Sequence, residues 1–195
     1  MKRMMTILLC ALPALALLLT QRAASAEEAK KPARPVVKDT ATGGKWKAKY
    51  GKKAAWIAIT TDTGAKQAGY ALEVKDAETY TWAENDKDDK RNPQPPKDDA
   101  DAPATCWYNG ETFSLVVTPP DDKPYKVTLY VMDYDHQSRV MEIVDPAKQT
   151  LEISSEQTDG GIYLTWVVEK AATFEIKKKD GPNCVVSGVF IDAAE

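Results

Sequence analysis

Hydrophobic and polar residues alternate with a period of two over much of the second half of the chain. Within 112–118 the apolar side chains occupy every other position, and the same alternation recurs within 125–131. Similar segments cover 139–145, 162–168 and 172–177, whereas 184–191 is a nearly continuous apolar run rich in β-branched residues. Successive side chains of a strand point to opposite faces, so each segment predicts a β-strand with a buried face.

Short turn sequences separate these segments and define the fold class. Pro, Asp, Gly and Asn cluster at 119–122, 145–146, 159–161 and 180–183, and these residues favour turns. No segment has the pattern of an amphipathic helix of three turns. Many short strands with this punctuation predict an all-β domain built as an antiparallel β-sandwich.

The first 26 residues have the pattern of a secretory signal peptide. Lys2 and Arg3 precede an apolar stretch over 7–19, and Ala24-Ser25-Ala26 supplies the small residues of a cleavage site. The apolar stretch is shorter than the roughly 20 residues that a membrane-spanning helix needs. We therefore predict a secreted or periplasmic protein with no membrane span after signal cleavage.

Composition then divides the mature chain. Residues 27–41 are rich in Lys, Pro and Ala and predict a flexible linker, which leaves 42–195 as the β-sandwich domain. Removing residues 1–26 takes away three basic residues and no acid, so the formal net charge falls from −3 to −6. This acidic balance argues against nucleic acid as a partner.

One segment departs from the strand pattern. Residues 83–104 contain seven acids, four bases and four prolines, and no large apolar residue. This composition predicts a disordered, charged surface loop. Its acids lack the regular spacing of an EF-hand, which favours a solvated insertion over a calcium or partner site. We predict no cofactor, and a structural calcium ion is left open.

The inventory of reactive residues is small. His136 is the only histidine of the chain, so a multi-histidine zinc site is excluded and any catalytic triad has to use this residue. No phosphate-binding loop, dinucleotide fingerprint or nucleophile elbow is present. The protein is therefore not expected to be an enzyme. A small glycoside hydrolase is the less favoured alternative, because paired carboxylates carry no sequence signature.

Signal cleavage leaves two cysteines, Cys106 and Cys184. An even pair in an exported protein permits a disulfide. The alternative is two separate buried thiols, since a free cysteine packs as a small hydrophobic residue. The sequence leaves both interpretations open.

Aromatic and polar residues near turns are the candidates for ligand binding. Flat aromatic side chains offer a large contact area with few rotatable bonds, and Asp and Arg can bond ligand hydroxyls. An aromatic residue of a β protein can equally belong to the core, and an Asp–Arg pair can simply tie a turn together. The candidate ligand-binding residues are Trp46, Trp82, Trp107, Tyr108, Asp133, Tyr134, Asp135 and Arg139.

Several short motifs occur in an order typical of one family. They are Thr42-Gly43-Gly44-Lys45-Trp46, Gly69-Tyr70, Tyr80-Thr81-Trp82, Cys106-Trp107-Tyr108, Leu129-Tyr130-Val131-Met132-Asp133-Tyr134-Asp135, Gly161-Ile162-Tyr163-Leu164-Thr165-Trp166 and Asn183-Cys184-Val185-Val186-Ser187-Gly188-Val189-Phe190. The chain resembles the carbohydrate-binding-module-like, galactose-binding-like β-sandwich domains of secreted bacterial proteins, which are often appended to glycoside hydrolases. The resemblance spans about 42–192 and implies a jelly-roll architecture and the binding of a glycan or polysaccharide. An extracytoplasmic structural or protein-interaction domain without a sugar site is the alternative.

Overall fold

The structure is a computed structural model that describes residues 36–59, 62–64, 66–96 and 101–194. The predicted signal peptide and most of the predicted linker lie outside these residues. The strands are β1 (Val37–Asp39), β2 (Ala54–Ile57), β3 (Ala71–Lys75), β4 (Glu78–Ala83), β5 (Ala104–Asn109), β6 (Thr112–Thr118), β7 (Tyr125–Val131), β8 (Val140–Val144), β9 (Thr150–Ile153), β10 (Ile162–Val168), β11 (Ala172–Asp180), β12 (Cys184–Val186) and β13 (Gly188–Ala193). A 3-10 turn covers Trp46–Ala48 and a short helix, α1, covers Ser155–Asp159.

The strands form three antiparallel sheets. The first sheet has the order β1-β10-β7-β13-β2 and the second has the order β3-β6-β11-β8-β9. Alternate residues of both sheets, among them Leu115, Val127 and Phe174, meet in one buried core. The predicted all-β, antiparallel β-sandwich is therefore confirmed. The third sheet, β12-β5-β4, is smaller. None of the helices in the described part of the chain is long and apolar enough to cross a membrane.

The outer face of the first sheet carries a second group of buried side chains, called the outer cluster here. Its members are Trp46, Tyr50, Ile57, Tyr130, Met132, Tyr163 and Phe190. Because this cluster covers the outward-facing residues of β7, that central strand is buried on both faces over Thr128–Val131. Its rings stack closely, with centroids 4.3 Å apart for Tyr130 and Tyr163.

The apolar run at 184–191 is not one strand. It divides at Ser187, so that β12 pairs with β5 in the third sheet while β13 pairs with β2 and β7 in the first sheet. The Ser187 N–H donates to the carbonyl of Tyr130, which holds the chain where it passes between the sheets. A change of sheet requires only a local change of backbone direction, and the hydrophobic pattern does not record it.

The domain begins earlier than the composition predicts. Val37–Asp39, placed in the flexible linker by the sequence, is strand β1 and pairs with β10. The carboxylate of Asp39 is buried and accepts hydrogen bonds from Thr42 Oγ1 (2.6 Å), Lys49 Nζ (2.6 Å) and Tyr50 Oη (2.7 Å). The domain therefore begins at or before β1 and not at residue 42. The carboxylate of Asp39 is hydrogen-bonded inside the fold, as expected for a residue of the domain.

The charged segment predicted to be disordered is specifically bonded over its described residues, 84–96 and 101–103. The side-chain amide of Asn92 is buried and donates to the carbonyls of Asp86 (2.8 Å) and Ala102 (2.6 Å). Two backbone hydrogen bonds join Gly44 to Lys90 and Gln94. A Cβ on Gly44 would lie 1.8 Å from the Asn92 carbonyl oxygen, so only glycine permits this approach. The prediction of disorder is wrong for these residues, because the backbone of Lys90 and Gln94 bonds to Gly44 and the Asn92 side chain bonds across the segment.

The two cysteines are free and buried, so of the two interpretations left open by the sequence the disulfide is not formed. Cys184 lies opposite Asn109 in the β12–β5 pair, three residues along the strand from Cys106. Three residues correspond to about 10 Å, and an odd offset turns the two side chains to opposite faces of the sheet. The interpretation as two separate buried thiols is the one that the structure supports.

We expect both thiols to react slowly in the native protein. Burial raises the pKa of Cys106 far above its usual value, and burial raises that of Cys184 to about 11, so little of the reactive thiolate forms at neutral pH. Maleimide labelling followed by peptide mass spectrometry should find both sites largely unmodified in native protein. In urea without reductant both should be modified fully. A requirement for reductant in urea would instead show a disulfide.

An aromatic pocket as the candidate functional site

One face of the third sheet gathers aromatic side chains. Tyr80 and Trp82 alternate along β4, and Cys106 and Tyr108 alternate along β5, so each pair projects from one face of its strand. The register places Tyr80 opposite Cys106 and brings the two pairs onto the same face. The sequence forms this face because aromatic and β-branched residues at alternating positions suit a strand.

Two turns complete a pocket on this face, called the aromatic pocket here. Its volume is about 270 Å³. It is lined by Tyr80, Trp82, Cys106, Tyr108, Asp135, Gln137, Arg139, Pro182 and Asn183. Tyr80 meets the rings of Trp82 and Tyr108 edge to face, with centroids 6.1 and 6.2 Å away. Tyr80 is 52% exposed and leaves its ring accessible from solvent.

A buried ion pair fixes the turn at one side of the pocket. The Arg139 guanidinium donates to the carboxylates of Asp133 and Asp135, and its Nε donates to Asn183 Oδ1 at 2.7 Å. Asp133 also accepts the backbone N–H groups of Gln137 (3.2 Å) and Arg139 (3.1 Å). These bonds hold the turn between Asp133 and Arg139, where His136 and Ser138 adopt positive φ angles of 54° and 57°.

The electrostatics of this turn leave a fixed negative group at the pocket. Burial raises the pKa of Asp135, but hydrogen bonds from Arg139 outweigh it, so the net shift is downward and the carboxylate stays ionised. The guanidinium of Arg139 is buried and already shared among Asp133, Asp135 and Asn183. It also lies 5.7 Å from the centroid of the Trp82 ring. The pocket thus offers a carboxylate and two side-chain amides, and its one arginine is buried and paired with acids.

The charged segment supports the pocket from behind. Tyr134 stacks on Trp82, with centroids 5.5 Å apart and planes 24° from parallel, and its hydroxyl donates to Asp86. The Arg91 guanidinium lies 5.4 Å from the Tyr134 ring and is paired with Asp89. Trp82 is consequently held between the ordered segment and the pocket, with its ring orientation set by Tyr134.

The structure brings together half of the predicted ligand residues. Trp82, Tyr108, Asp135 and Arg139 line the aromatic pocket. Asp133 and Tyr134 lie next to it, as the partners of Arg139 and Trp82.

The structure does not place Trp46 and Trp107 at the aromatic pocket, contrary to their selection as candidate ligand residues. Trp46 is buried in the outer cluster, where its indole donates to the Gln94 carbonyl at 2.8 Å, and Trp107 is buried in the main core. Neither side chain can present its face to a ligand, because protein atoms already cover it.

Sequence reasoning missed Tyr80, Gln137 and Asn183. Tyr80 could have been found, since it stands two positions from Trp82 and shares the same face of an extended strand. Asn183 gives no such signal, because it follows a turn 44 residues away from Arg139 along the chain. Its position depends on how the β11–β12 turn packs.

His136 lies in a separate hollow with Ser138, Ser155 and Asp159. Its Nδ1 contacts the Asp159 carboxylate. No hydrogen bond joins it to either serine among the residues that the structure describes, so no nucleophile and base are paired there. The described side chains also include no group of three or more His, Cys, Asp or Glu that could hold a metal ion.

Comparison with known proteins gives structural neighbours only. No protein-family model matches the chain, and no curated protein matches it. A family 35 carbohydrate binding module from Clostridium thermocellum is similar with a TM-score of 0.39 and 10% identity, covering 72% of this chain and 99% of that module. A family 35 module from Cellvibrio japonicus has a TM-score of 0.33 and 6% identity, covering 64% and 95%. A family 61 module in complex with β-1,4-galactotriose has a TM-score of 0.31 and 9% identity, and the match covers 64% of this chain and 88% of that module.

Proposed function

We propose that this protein is an exported, non-catalytic domain that binds a glycan through the aromatic pocket. The observation that carries the proposal is the exposed ring of Tyr80, set edge to face against Trp82 and Tyr108 beside polar side chains. Aromatic rings pack against the apolar faces of sugars, while amide and carboxylate groups bond the hydroxyls. Its volume, near the lower limit of about 300 Å³ for small-molecule sites, suits a single sugar residue or a chain end.

The charges of the pocket favour a neutral sugar over an acidic one. Arg139 directs its Nε to Asn183 and its Nη1 to Asp133 and Asp135, and its side chain is only 4% exposed, so little of its charge is accessible to a ligand carboxylate. The ionised Asp135 would repel such a group. Hydroxyls, by contrast, can donate to Asp135 and accept from the amides of Gln137 and Asn183.

The test compares the wild-type protein with a Tyr80→Ala variant in affinity gels cast with neutral polysaccharides: galactan, xylan, mannan and β-glucan. We expect retardation by at least one gel and a loss of affinity of about three- to tenfold in the variant, as one aromatic contact supplies about 0.5–1.5 kcal/mol. Tyr80 is suited to this test because its ring is exposed and meets its aromatic neighbours, Trp82 and Tyr108, edge to face, so that its removal should disturb the fold little.

A matched control is Ile59→Ala, which truncates another exposed apolar side chain that lines neither the aromatic pocket nor any other proposed site. Circular dichroism should show that both variants are folded. If folded wild-type protein is retarded by none of the gels, the proposal that the aromatic pocket binds a neutral glycan is wrong, and a structural or protein-interaction role for this face is favoured. Equal losses for Tyr80→Ala and Ile59→Ala would place the binding site elsewhere.

A further inference from the structure

A second concave surface lies on the outer face of the first sheet and shares no residue with the aromatic pocket. Its volume is about 510 Å³. The residues that define it as the lysine groove are Lys49, Lys52, Lys53 and Lys126, with Thr128 and Thr165 at its floor. It continues the outward-facing positions of β7 and β10 beyond the outer cluster, with Thr128 buried at its floor and Thr165 partly exposed.

Three of the four lysines form no ion pair with a described carboxylate, and two of these three also donate no side-chain hydrogen bond to a described residue. Lys49 pairs with the buried carboxylate of Asp39 at 2.6 Å. Lys52 donates to the carbonyl of Lys47 at 2.5 Å. Lys53 and Lys126 form no ion pair with any residue that the structure describes. Their ammonium groups can therefore bind an anion at the groove without first breaking an existing pair within the described chain.

The one carboxylate of the groove is engaged elsewhere. Asp192 stands opposite Lys126 in the β13–β7 register, yet its oxygens accept the backbone N–H groups of Gly51 (3.0 Å) and Lys52 (2.8 Å). Because Lys49 is paired with Asp39, three remaining lysines face the single carboxylate of Asp192, which makes the groove basic. The whole chain carries a net charge of −3, so this basic surface stands against the balance of the protein.

The floor and rim of the groove add hydroxyl and apolar surface. The hydroxyls of Thr128 and Thr165 hydrogen-bond to each other at 2.8 Å across β7 and β10. Val37, 61% exposed, lies at the edge of β1 beside them. The Tyr50 ring is buried in the outer cluster and presents no free face.

From these features we infer that the lysine groove binds an acidic polysaccharide, a polymer whose sugar residues carry carboxylates. Ammonium groups pair with the carboxylates, the hydroxyl of the partly exposed Thr165 can bond a hydroxyl of the sugar, and Val37 packs against a ring. Single-stranded nucleic acid fits less well because the groove lacks an exposed aromatic ring for stacking. An anionic membrane fits less well because a single exposed valine offers little apolar surface to insert.

The experiment measures retardation of the full chain in affinity gels containing polygalacturonate. Wild-type protein should be retarded, and added salt should weaken the effect because exposed charge pairs are screened. A Lys53→Gln/Lys126→Gln variant should lose about fivefold or more in affinity. A Lys87→Gln/Lys170→Gln variant, with the same charge change at exposed positions outside the groove, is the matched control.

The outcomes separate this site from the aromatic pocket. Tyr80→Ala should leave polygalacturonate binding unchanged, and Lys53→Gln/Lys126→Gln should leave binding to neutral polysaccharides unchanged. Equal losses for the two lysine pairs, or no retardation of folded wild-type protein, would overturn the inference. Equally tight binding of single-stranded DNA or of phosphatidylglycerol vesicles through Lys53 and Lys126 would also overturn it, because the groove would then not select a polysaccharide.

Discussion

Replacing Arg139 by alanine is expected to lower the free energy of unfolding by about 3–5 kcal/mol, the usual cost of removing one partner from a buried ion pair. The guanidinium holds Asp133, Asp135 and Asn183 together, and Asp133 is itself almost fully buried. Without Arg139 the Asp133 carboxylate keeps only backbone donors in a surrounding that cannot solvate it. Urea unfolding followed by tryptophan fluorescence measures the change.

The same substitution should abolish binding at the aromatic pocket even where the protein remains folded. Arg139 fixes Asp135 and Asn183, which line the pocket together with the aromatic side chains. Arg139→Lys should recover only part of the stability, because an ammonium group lacks the planar fork that reaches three partners at once.

A surface ion pair supplies the control for Arg139. Lys177 and Glu175 are both partly exposed, with a separation of 3.0 Å between Nζ and Oε2. Lys177→Ala should change the free energy of unfolding by less than about 1 kcal/mol. A similar small loss for Arg139→Ala would contradict the view that the buried pair organises the turn.

Asp39→Asn is expected to destabilise the domain by about 3 kcal/mol at neutral pH. The carboxylate accepts hydrogen bonds from Lys49, Tyr50 and Thr42. In asparagine an NH₂ group replaces one of the two oxygens, and this donor would face the donors of the neighbouring side chains. Charged acceptors in such sites contribute about 1.5–3 kcal/mol for each hydrogen bond, and the buried donors left without partners add to the loss.

This contribution should depend on pH in a defined direction. Burial raises the pKa of Asp39, but the hydrogen bonds from Lys49, Thr42 and Tyr50 outweigh it, and the pKa lies far below its usual value. In the unfolded chain the group titrates near pH 4. The stabilisation is therefore complete above about pH 5 and is lost as the pH falls below that value, where the unfolded state binds the proton first.

Urea unfolding of wild type and Asp39→Asn at neutral and acidic pH tests this directly. The difference in unfolding free energy between the two proteins should shrink as the solution is acidified towards pH 3. Lys75→Gln provides a reference, since it removes an exposed pair with Glu73 and should shift stability little at any pH. A difference that grows on acidification would show that the Asp39 pKa is raised.

The strands of the sandwich were predictable because their pattern is local. The segments at 112–118, 125–131 and 162–168 coincide with β6, β7 and β10, since alternate burial against one core leaves its period in the sequence. Strand β4 leaves no such record. Its residues are mostly exposed, because it lies at the edge of the small third sheet.

The candidate site was only partly predictable, because local pattern shows which residues suit a site but not which of them are buried. Trp82 and Tyr108 stand out as aromatics near turns, and Asp135 and Arg139 as a compact polar cluster. Trp46 and Trp107 have equally suggestive positions but are buried, one in the outer cluster and one in the main core. Which aromatic ring is covered depends on the packing of distant segments, and no local pattern encodes it.

The sequence by itself determined the all-β class, the positions of the central strands and the shortage of catalytic groups, because periodicity and residue inventory are local properties. Only the tertiary structure decided that Cys106 and Cys184 remain apart, that residues 84–96 are bonded to the domain, and that Tyr80 and Asn183 meet at one pocket. These features follow from strand register and from contacts between residues far apart in the chain. The sandwich was thus readable from its hydrophobic pattern, whereas the surfaces proposed for glycans depend on the fold.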